Sequence, residues 1–377
     1  MMELTAIPSY HYNPTDVSGD NGSIYYSDDE YDFKDEHAEL KQSLLTMIAV
    51  VHSLVFVLGV LGNGVVIWVT GFKMKKTVNT VWLLNLAVAD FLFTAFLPLG
   101  VVTIALDLHW PFGKFMCKLN GALYYLNMFA SVYILMVISV DRCVLIVWPV
   151  WARNHRSVHK AYCVILGVWI LALIFSTPYF IFKDTLSLNN IGVTICFHSY
   201  ALSDDYETPS VNQLRQFRHQ AMITSQFLLG FVVPFTVIVS CYAVIIHRIR
   251  RNRTLASQSS RPFKIIAAVI TTFFLCWAPY YTMLLIVMDQ SISSHQSETS
   301  SVITIWAPVF TCLAVLNSCL NPVLYVCMGQ NFKDNVCKSI PKALETAFQE
   351  EVSGPRTDTK SVHTSQSKEM TTCDTAL

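Results

Sequence analysis

Charge is what this chain lacks. Only 14% of its 377 residues are Asp, Glu, Lys or Arg, where soluble globular domains carry about 25%. With 53% hydrophobic residues and a mean hydropathy of +0.44, the shortfall speaks against a soluble protein and points to a chain that faces lipid. Net charge is zero, so no electrostatic field favours nucleic acid, and none is expected as a partner. No apolar h-region lies in the first 42 residues, so no cleaved signal peptide is expected and the first apolar run would act as its own insertion signal. No internal repeat, Gly-rich linker or low-complexity block is present. Deep in the apolar runs stand one acid, Asp90, and one histidine, His52. A transporter or channel wants several intramembrane charges or inverted repeats. An intramembrane enzyme wants a nucleophile–base or metal set, and His52 has no such company. Neither class is supported, and no enzymatic activity is expected.

What is present is length of apolar run. Seven stretches, roughly 44–70, 78–104, 118–141, 161–182, 219–246, 265–288 and 302–327, are each long enough to cross a hydrocarbon core of about 30 Å as helix. Helix is the only open-chain solution there, because lipid offers no partner for backbone N–H and C=O groups. Basic residues set the orientation. Lys73, Lys75 and Lys76 follow the first run, Arg153, Arg156 and Lys160 the third, and Arg248, Arg250, Arg251, Arg253, Arg261 and Lys264 the fifth. No acid lies in 71–77, 143–160 or 247–264. These loops are expected inside and the N-terminus outside, as for a multi-pass protein of the plasma membrane. The first 42 residues fit an outside arm: ten acids face two lysines, Lys34 and Lys41.

Asp141 and Arg142 stand side by side at the inner end of the third run. A charge pair at a boundary is readable as a snorkelled anchor or as a working element. Other polar intruders favour the second reading: Asp90, Asn63 in the first run, and Asn317 and Asn321 in the seventh. Pro234, Pro279 and Pro322 interrupt runs five, six and seven, and prolines create bends that can move.

The set "GNGVV" (Asn63), "NLAVAD" (Asp90), "DRC" (Arg142), Trp169, "CWAPY" (Trp277, Pro279) and "NPVLY" (Asn321, Pro322, Tyr325) resembles the rhodopsin class of G-protein-coupled receptors over roughly residues 43–345. Each motif is weak alone; one in nearly every run, in order, is specific. The resemblance implies an all-α membrane protein: a seven-transmembrane helix bundle with a short amphipathic eighth helix. Its domains would be an acidic arm over 1–42, the bundle over 43–329, the eighth helix over 330–349 and a disordered tail over 350–377. It implies a two-state bundle biased by an outside ligand, with a heterotrimeric G protein and arrestin as inside partners. Arg142 would pair with Asp141 at rest and be released towards Tyr242 and Tyr325. Trp277, beside Pro279 and one turn above Phe273, would sense the ligand. Cys143 stands where the family usually has Tyr. Asp90, Asn127, Ser131, Asn317, Ser318 and Asn321 resemble the family's sodium pocket; a plain hydrogen-bonded polar core is the alternative. No other cofactor is implied.

Of the eleven cysteines, most fall inside the runs as small apolar residues. Cys117 and Cys196 fall on the oxidising side, and the resemblance implies a disulfide that pins the second outer loop over the bundle mouth. Phe332, Val336 and Ile340 share one face after the last run, with Lys333, Lys338 and Lys342 on the other, as for a helix lying on lipid. Cys337 there is either a palmitoylation site or an exposed thiol. Asn21 opens a glycosylation sequon. Tyr25, Tyr26 and Tyr31 sit among acids and are sulfation candidates, for capture of a basic ligand; an unmodified solvated tail is the other reading. The Ser and Thr of 353–375 offer phosphorylation sites for arrestin. Thr375-Ala376-Leu377 matches a PDZ-ligand ending.

"LHWPFGKFMCKL", "FKMKKTVNTVW", "NHRSV" and "SIPKALETAF" resemble the chemoattractant group: the chemerin-receptor, formyl-peptide-receptor and anaphylatoxin-receptor families, the first most of all. The formyl receptors use an acid and two arginines where this chain has Tyr125, Met222 and Gln226, which argues against a formyl peptide. Gln226 also departs from an arginine of the chemerin receptors. Tyr124 occupies the position of the acid that binds amines in monoamine receptors, so a small cationic amine is not expected. A peptide or protein inserting one end among Tyr124, Tyr125, Gln226, Trp277, Tyr280 and Tyr281, with Arg215 and Arg218 for a carboxylate, fits better. Chemerin is the leading ligand, with inhibitory-type G proteins. The alternatives are a formyl-peptide or lipid-mediator receptor and an arrestin-only scavenger.

Overall fold

A computed structural model of the chain describes residues 28–188, 192–200, 202, 208–251, 253–290 and 298–328. Its helices are α1 (Asp28–Trp68), α2 (Val78–Ala105), α3 (Gly113–Val147), the short α4 (Pro149–His155), α5 (Val158–Ile181), α6 (Pro209–Phe227), α7 (Val233–Arg251), α8 (Arg253–Gln290) and α9 (Glu298–Met328). A π turn over Val69–Lys73 extends α1, and a second over Leu228–Val232 joins α6 to α7 into one span. Among the described residues, seven helical stretches are long and apolar enough to cross a membrane, in the places where the apolar runs predict them.

The helices outrun the apolar segments. α1 is already helical at Asp28, the first described residue, and not only from near residue 43, so the described part of the arm and the first span share one helix. The stretch "DDEYDFKDEHAELKQ" contains no Gly or Pro to break a helix. α3 continues to Val147, which leaves Asp141–Arg142 inside a helix rather than at its end. The second π turn stops just before Pro234. A proline at that point collides with the carbonyl four residues back, at Gly230, and the widened turn accommodates it.

The connection between α5 and α6 is not helical. β1 (Lys183–Leu188) and β2 (Val193–His198) form an antiparallel pair in which Thr185 faces Cys196 and Lys183 faces His198. This hairpin caps one end of the bundle, here called the hairpin end; the Lys/Arg-rich loops mark the opposite, basic end. Asn21, Tyr25, Tyr26, Cys337, the segment 330–349 and the tail lie outside the described residues; Tyr31 falls early in α1.

α3 is the axis. Met128, Ala130, Val132 and Ile134 are fully buried between α2, α5 and α7. Side chains such as Leu54, Leu58 and Leu61 of α1 and Leu166, Ile170 and Ile174 of α5 point outward. In water such faces would aggregate; in hydrocarbon they are simply wetted. Lipid is as apolar as leucine, so burial alone gives little drive for helix association, and close packing with interhelical hydrogen bonds carries it. Trp169 Nε1 donates to Asn85 Oδ1 at 3.0 Å, and Asn63 Nδ2 donates to the Ser318 carbonyl at 2.8 Å. Each such bond contributes on the order of 0.6 kcal/mol.

Candidate functional site

At the hairpin end the hairpin is clamped from several sides. Cys196 of β2 is disulfide-bonded to Cys117 near the start of α3, with Cα atoms 5.8 Å apart. Lys114 pairs with Asp184 of β1 at 2.9 Å. Partial burial pushes the Asp184 carboxyl upward, but the Lys114 bond, the Thr185 N–H and the charges of Lys114 and Lys118 outweigh it and hold the pKa below its usual value. The Trp110 N–H donates to the Thr194 carbonyl at 2.7 Å, and the Thr194 N–H to His109 Nδ1 at 3.0 Å. Arg218 Nη1 donates to the Tyr200 carbonyl at 3.4 Å and lies 5.5 Å over the Phe182 ring.

Beneath the hairpin lies a cluster of rings. Tyr124 and Tyr125 of α3, Tyr179 of α5, Gln226 of α6 and Trp277, Tyr280 and Tyr281 of α8 are all buried. Tyr125 stacks on Tyr179. Tyr124 meets Trp277 edge-on at 6.0 Å, and Trp277 stacks on Phe273 at 5.8 Å. Gln226 is the polar hub: its Nε2 donates to Tyr280 Oη at 2.9 Å, and its Oε1 accepts from Tyr179 Oη at 3.4 Å. Tyr124 Oη and Trp277 Nε1 are buried with no hydrogen-bond partner among the described residues. At the rim, Lys183 is buried and its stem lies over Gly121, 3.2 Å from where a Cβ would sit. His198 stacks on Tyr200 and touches the edges of Tyr125 and Tyr179. Burial first, then the charge of Lys183 and that of His219, pushes its pKa well below the usual histidine value.

Midway down the bundle Asp90 is completely buried. Asn321 Nδ2 donates to its Oδ2 at 2.9 Å. With its amide oriented to satisfy both ends, Asn127 donates to Asp90 Oδ1 at 3.2 Å and accepts from Ser318 Oγ at 3.1 Å, with Ser131 Oγ 3.2 Å away. Asn317 Nδ2 is buried with no hydrogen-bond partner among the described residues. The Asp90 carboxylate and the Ser131 and Ser318 hydroxyls are oxygen donors of the kind a hard cation takes, while Asn321 and Asn127 turn N–H groups towards the carboxylate. His52 is buried with neither nitrogen hydrogen-bonded among the described residues, as a packed core residue.

At the basic end the expected Asp141–Arg142 pair is only partly made. Arg142 Nη2 lies 3.7 Å from Asp141 Oδ2, within ion-pair range but beyond hydrogen bonding. Arg156 takes the carboxylate instead, Nε to Oδ1 at 2.7 Å and Nη2 to Oδ2 at 3.0 Å. Both guanidiniums also donate to Asn79 Oδ1, Arg156 at 2.6 Å and Arg142 by a short contact. Two-pronged Arg–carboxylate geometry is the stronger one, which explains why Arg156 wins. The Tyr242 hydroxyl is buried with no hydrogen bond among the described residues, and Tyr325 is buried in the same core.

The profile of the rhodopsin family of seven-transmembrane receptors matches residues 62–325. The chain belongs to that family. Chemerin-like receptor 1 of Homo sapiens is 44% identical over 325 residues, 83% of this chain and 85% of the relative. The Rattus norvegicus protein of the same name is 42% identical over 330 residues, 84% of this chain and 87% of the relative. N-formyl peptide receptor 3 of Homo sapiens is 41% identical over 302 residues, 80% and 85%. This rhodopsin-family receptor therefore resembles the chemoattractant group, and its family is one of receptors, not enzymes.

The receptor's structure gathers Tyr124, Tyr125, Gln226, Trp277, Tyr280 and Tyr281 into one cluster. Arg218 is instead engaged with the loop after β2, and Arg215 is half-buried on the same helix. Sequence reasoning missed Tyr179, Met128, Lys183, His198, Asn79 and Arg156. Met128 was findable, one turn along α3 from Tyr124. Lys183, a lone base directly after the fourth run, was also visible. Tyr179, Asn79 and His198 carry no local signal; only the bundle's packing brings them in.

Proposed function

We propose that this receptor binds an extracellular peptide or protein chemoattractant, with chemerin the leading ligand, and signals through inhibitory-type G proteins and arrestin. The hairpin end faces outside and the basic end the cytoplasm, in keeping with the disulfide at one and the Lys/Arg loops at the other. One observation carries the reading. The pocket is aromatic, has an amide at its centre, two buried donors in Tyr124 Oη and Trp277 Nε1 with no partner among the described residues, and a buried Lys183 at its rim. Such a site accepts an apolar peptide end with a carboxylate and repels a cationic amine. The names and similarity of the relatives support chemerin within that class. Identity to N-formyl peptide receptor 3 favours a formyl-peptide ligand as second reading; Tyr125, Met222 and Gln226 speak against it. An arrestin-only scavenger is a further alternative.

Ligand entry would displace Trp277 against Phe273 beside the Pro279 bend. Arg142 would leave Asn79 and Asp141 for Tyr242 and Tyr325. Asp90, with the oxygens of Asn127, Ser131 and Ser318, would hold a sodium ion that favours the resting bundle. The test is inhibition of cAMP and recruitment of arrestin in cells exposed separately to chemerin, a formyl peptide and an anaphylatoxin. Chemerin alone should lower cAMP, and Arg142→Ala should abolish this at equal surface level. Replacing sodium by choline should raise chemerin affinity in the wild type and not in Asp90→Asn. Arrestin recruitment without any cAMP change would overturn the coupling, and a response to formyl peptide alone the ligand.

A further inference from the structure

At the basic end two guanidiniums share one carboxylate and one amide oxygen, that of Asn79, and the charges do not balance. Asp141 supplies the sole negative charge in the hydrogen-bonded group, against two guanidiniums. Arg156 holds both carboxylate oxygens. Arg142, although only 7% exposed, is left with the long 3.7 Å contact to Asp141 and a share of Asn79 Oδ1, which also accepts from Arg156 at 2.6 Å. Its Nε is buried with no hydrogen-bond partner among the described residues. A buried cation with unmet donors, beside a like charge, is weakly held. We propose that Arg156 is a positioning residue that competes with Arg142 for Asp141 and Asn79, and so loosens the resting hold on Arg142.

The local fold puts Arg156 in place. It closes the short α4, its N–H donating to the Ala152 carbonyl at 2.9 Å, and precedes Ser157, whose hydroxyl caps α5 by accepting from the Lys160 N–H. The cap and the turn fix the backbone from which the guanidinium reaches across to α3. Its side chain is 25% exposed, against 9% for that of Arg142, so Arg156 can be removed without leaving a deep cavity. Without it, both Asp141 oxygens and the Asn79 oxygen become available to Arg142 alone. The resting hold then tightens. This sign is opposite to that of a brace: loss of a brace would free Arg142.

The inference rests on the reading of Arg142 as the coupling switch, so both are tested together. Arg156→Gln, Arg156→Lys and Arg142→Ala are compared at equal surface level, with Arg153→Gln, an exposed change on the same α4, as control. G-protein activation is read without and with agonist. Arg156 could also touch the G protein, so a second readout omits it: the spin-label distance between the basic ends of α3 and α8 in purified receptor. Arg156→Gln should lower agonist-free activity and agonist potency by about two- to fivefold, the scale of a partly exposed ion pair, and raise the closed population. Arg156→Lys keeps the charge but loses the two-pronged bond, and should lie between. Raised or unchanged agonist-free activity in Arg156→Gln, with coupling lost in Arg142→Ala, overturns the competition and leaves the receptor reading standing. Full coupling in Arg142→Ala overturns the switch itself and the competition with it.

Discussion

The two ends of the bundle are built from different interactions. At the hairpin end, rings and one amide meet through dispersion and neutral hydrogen bonds, and the charged groups lie at the rim. At the basic end, one carboxylate and two guanidiniums meet through a few short, directional bonds. Ring contacts are numerous and individually small, so a side chain can shift by an ångström and lose little. Charge-assisted bonds are strong only at 2.7–2.9 Å and with good alignment, so the same shift exchanges partners. The first arrangement suits recognition of varied apolar shapes; the second suits a choice between two states. Asp90 and its amide and hydroxyl neighbours lie between them.

The comparison breaks most severely if the hairpin end loses its covalent clamp. Cys117→Ala with Cys196→Ala removes a cross-link between residues 79 apart in sequence, for which loop entropy alone gives about 4 kcal/mol. The unfolding midpoint of purified receptor should drop more than for any change at the basic end, and ligand binding should be lost. An unchanged midpoint would mean that the ionic and backbone contacts of the hairpin suffice. A smaller effect is expected at the π turn of the fifth span, where a Cβ on Gly230 would overlap the Tyr281 hydroxyl. Gly230→Ala should cost about 1–3 kcal/mol by overpacking, and adding Tyr281→Phe should recover much of it. Recovery is affordable because that hydroxyl donates only to the weakly accepting Met128 sulfur, at 3.4 Å. A double variant as unstable as the single one would place the strain elsewhere.

The smallest effect sharpens the contrast by pH. His198 has its pKa depressed in the fold, so the fold favours the neutral ring. That stability is complete above the ordinary histidine value of about 6.5 and is lost progressively as pH falls below it. Asp184 is depressed too; its contribution is present above the ordinary carboxylate value and fades as pH falls through the lowered one. Hydrogen-exchange protection of the β1–β2 amides should therefore decline between pH 7.5 and 5.5 in the wild type. In His198→Phe it should stay level over that range. Equal decline in both would remove His198 from the hairpin's pH response.

How legible all this was depends on the range of the interaction. The seven spans follow from composition, because lipid dictates helix wherever about 20 apolar residues run on. Helix ends were less legible: apolarity marks where lipid stops, whereas α1 is already helical from Asp28 and α3 runs on to Val147, just before Pro149. The ring cluster was readable because Tyr124 and Tyr125 adjoin on α3 and Trp277, Tyr280 and Tyr281 lie within two turns of α8. The hairpin was hidden, since "KDTLSL" and "VTICFH" are short and only half-alternating. Arg156 read as one more base of an inside loop. Its engagement with Asp141 is a contact between residues 15 apart that no periodicity announces, and Asn79 reaches the same group from still farther along the chain.

α3 is anchored by a covalent bond at one end and by exchangeable ionic bonds at the other. From Cys117 to Arg142 the helix runs roughly 38 Å at 1.5 Å per residue. Pivoting about the sulfur, a tilt of only about 3° would carry the far end through roughly 2 Å over that length. That is enough to take a guanidinium out of one hydrogen-bonding shell and into another. Under the proposed switch the disulfide would do more than tether a loop: as a fulcrum for α3 it would give a mechanical gain by which a slight rearrangement of rings becomes a full change of partner at the opposite end.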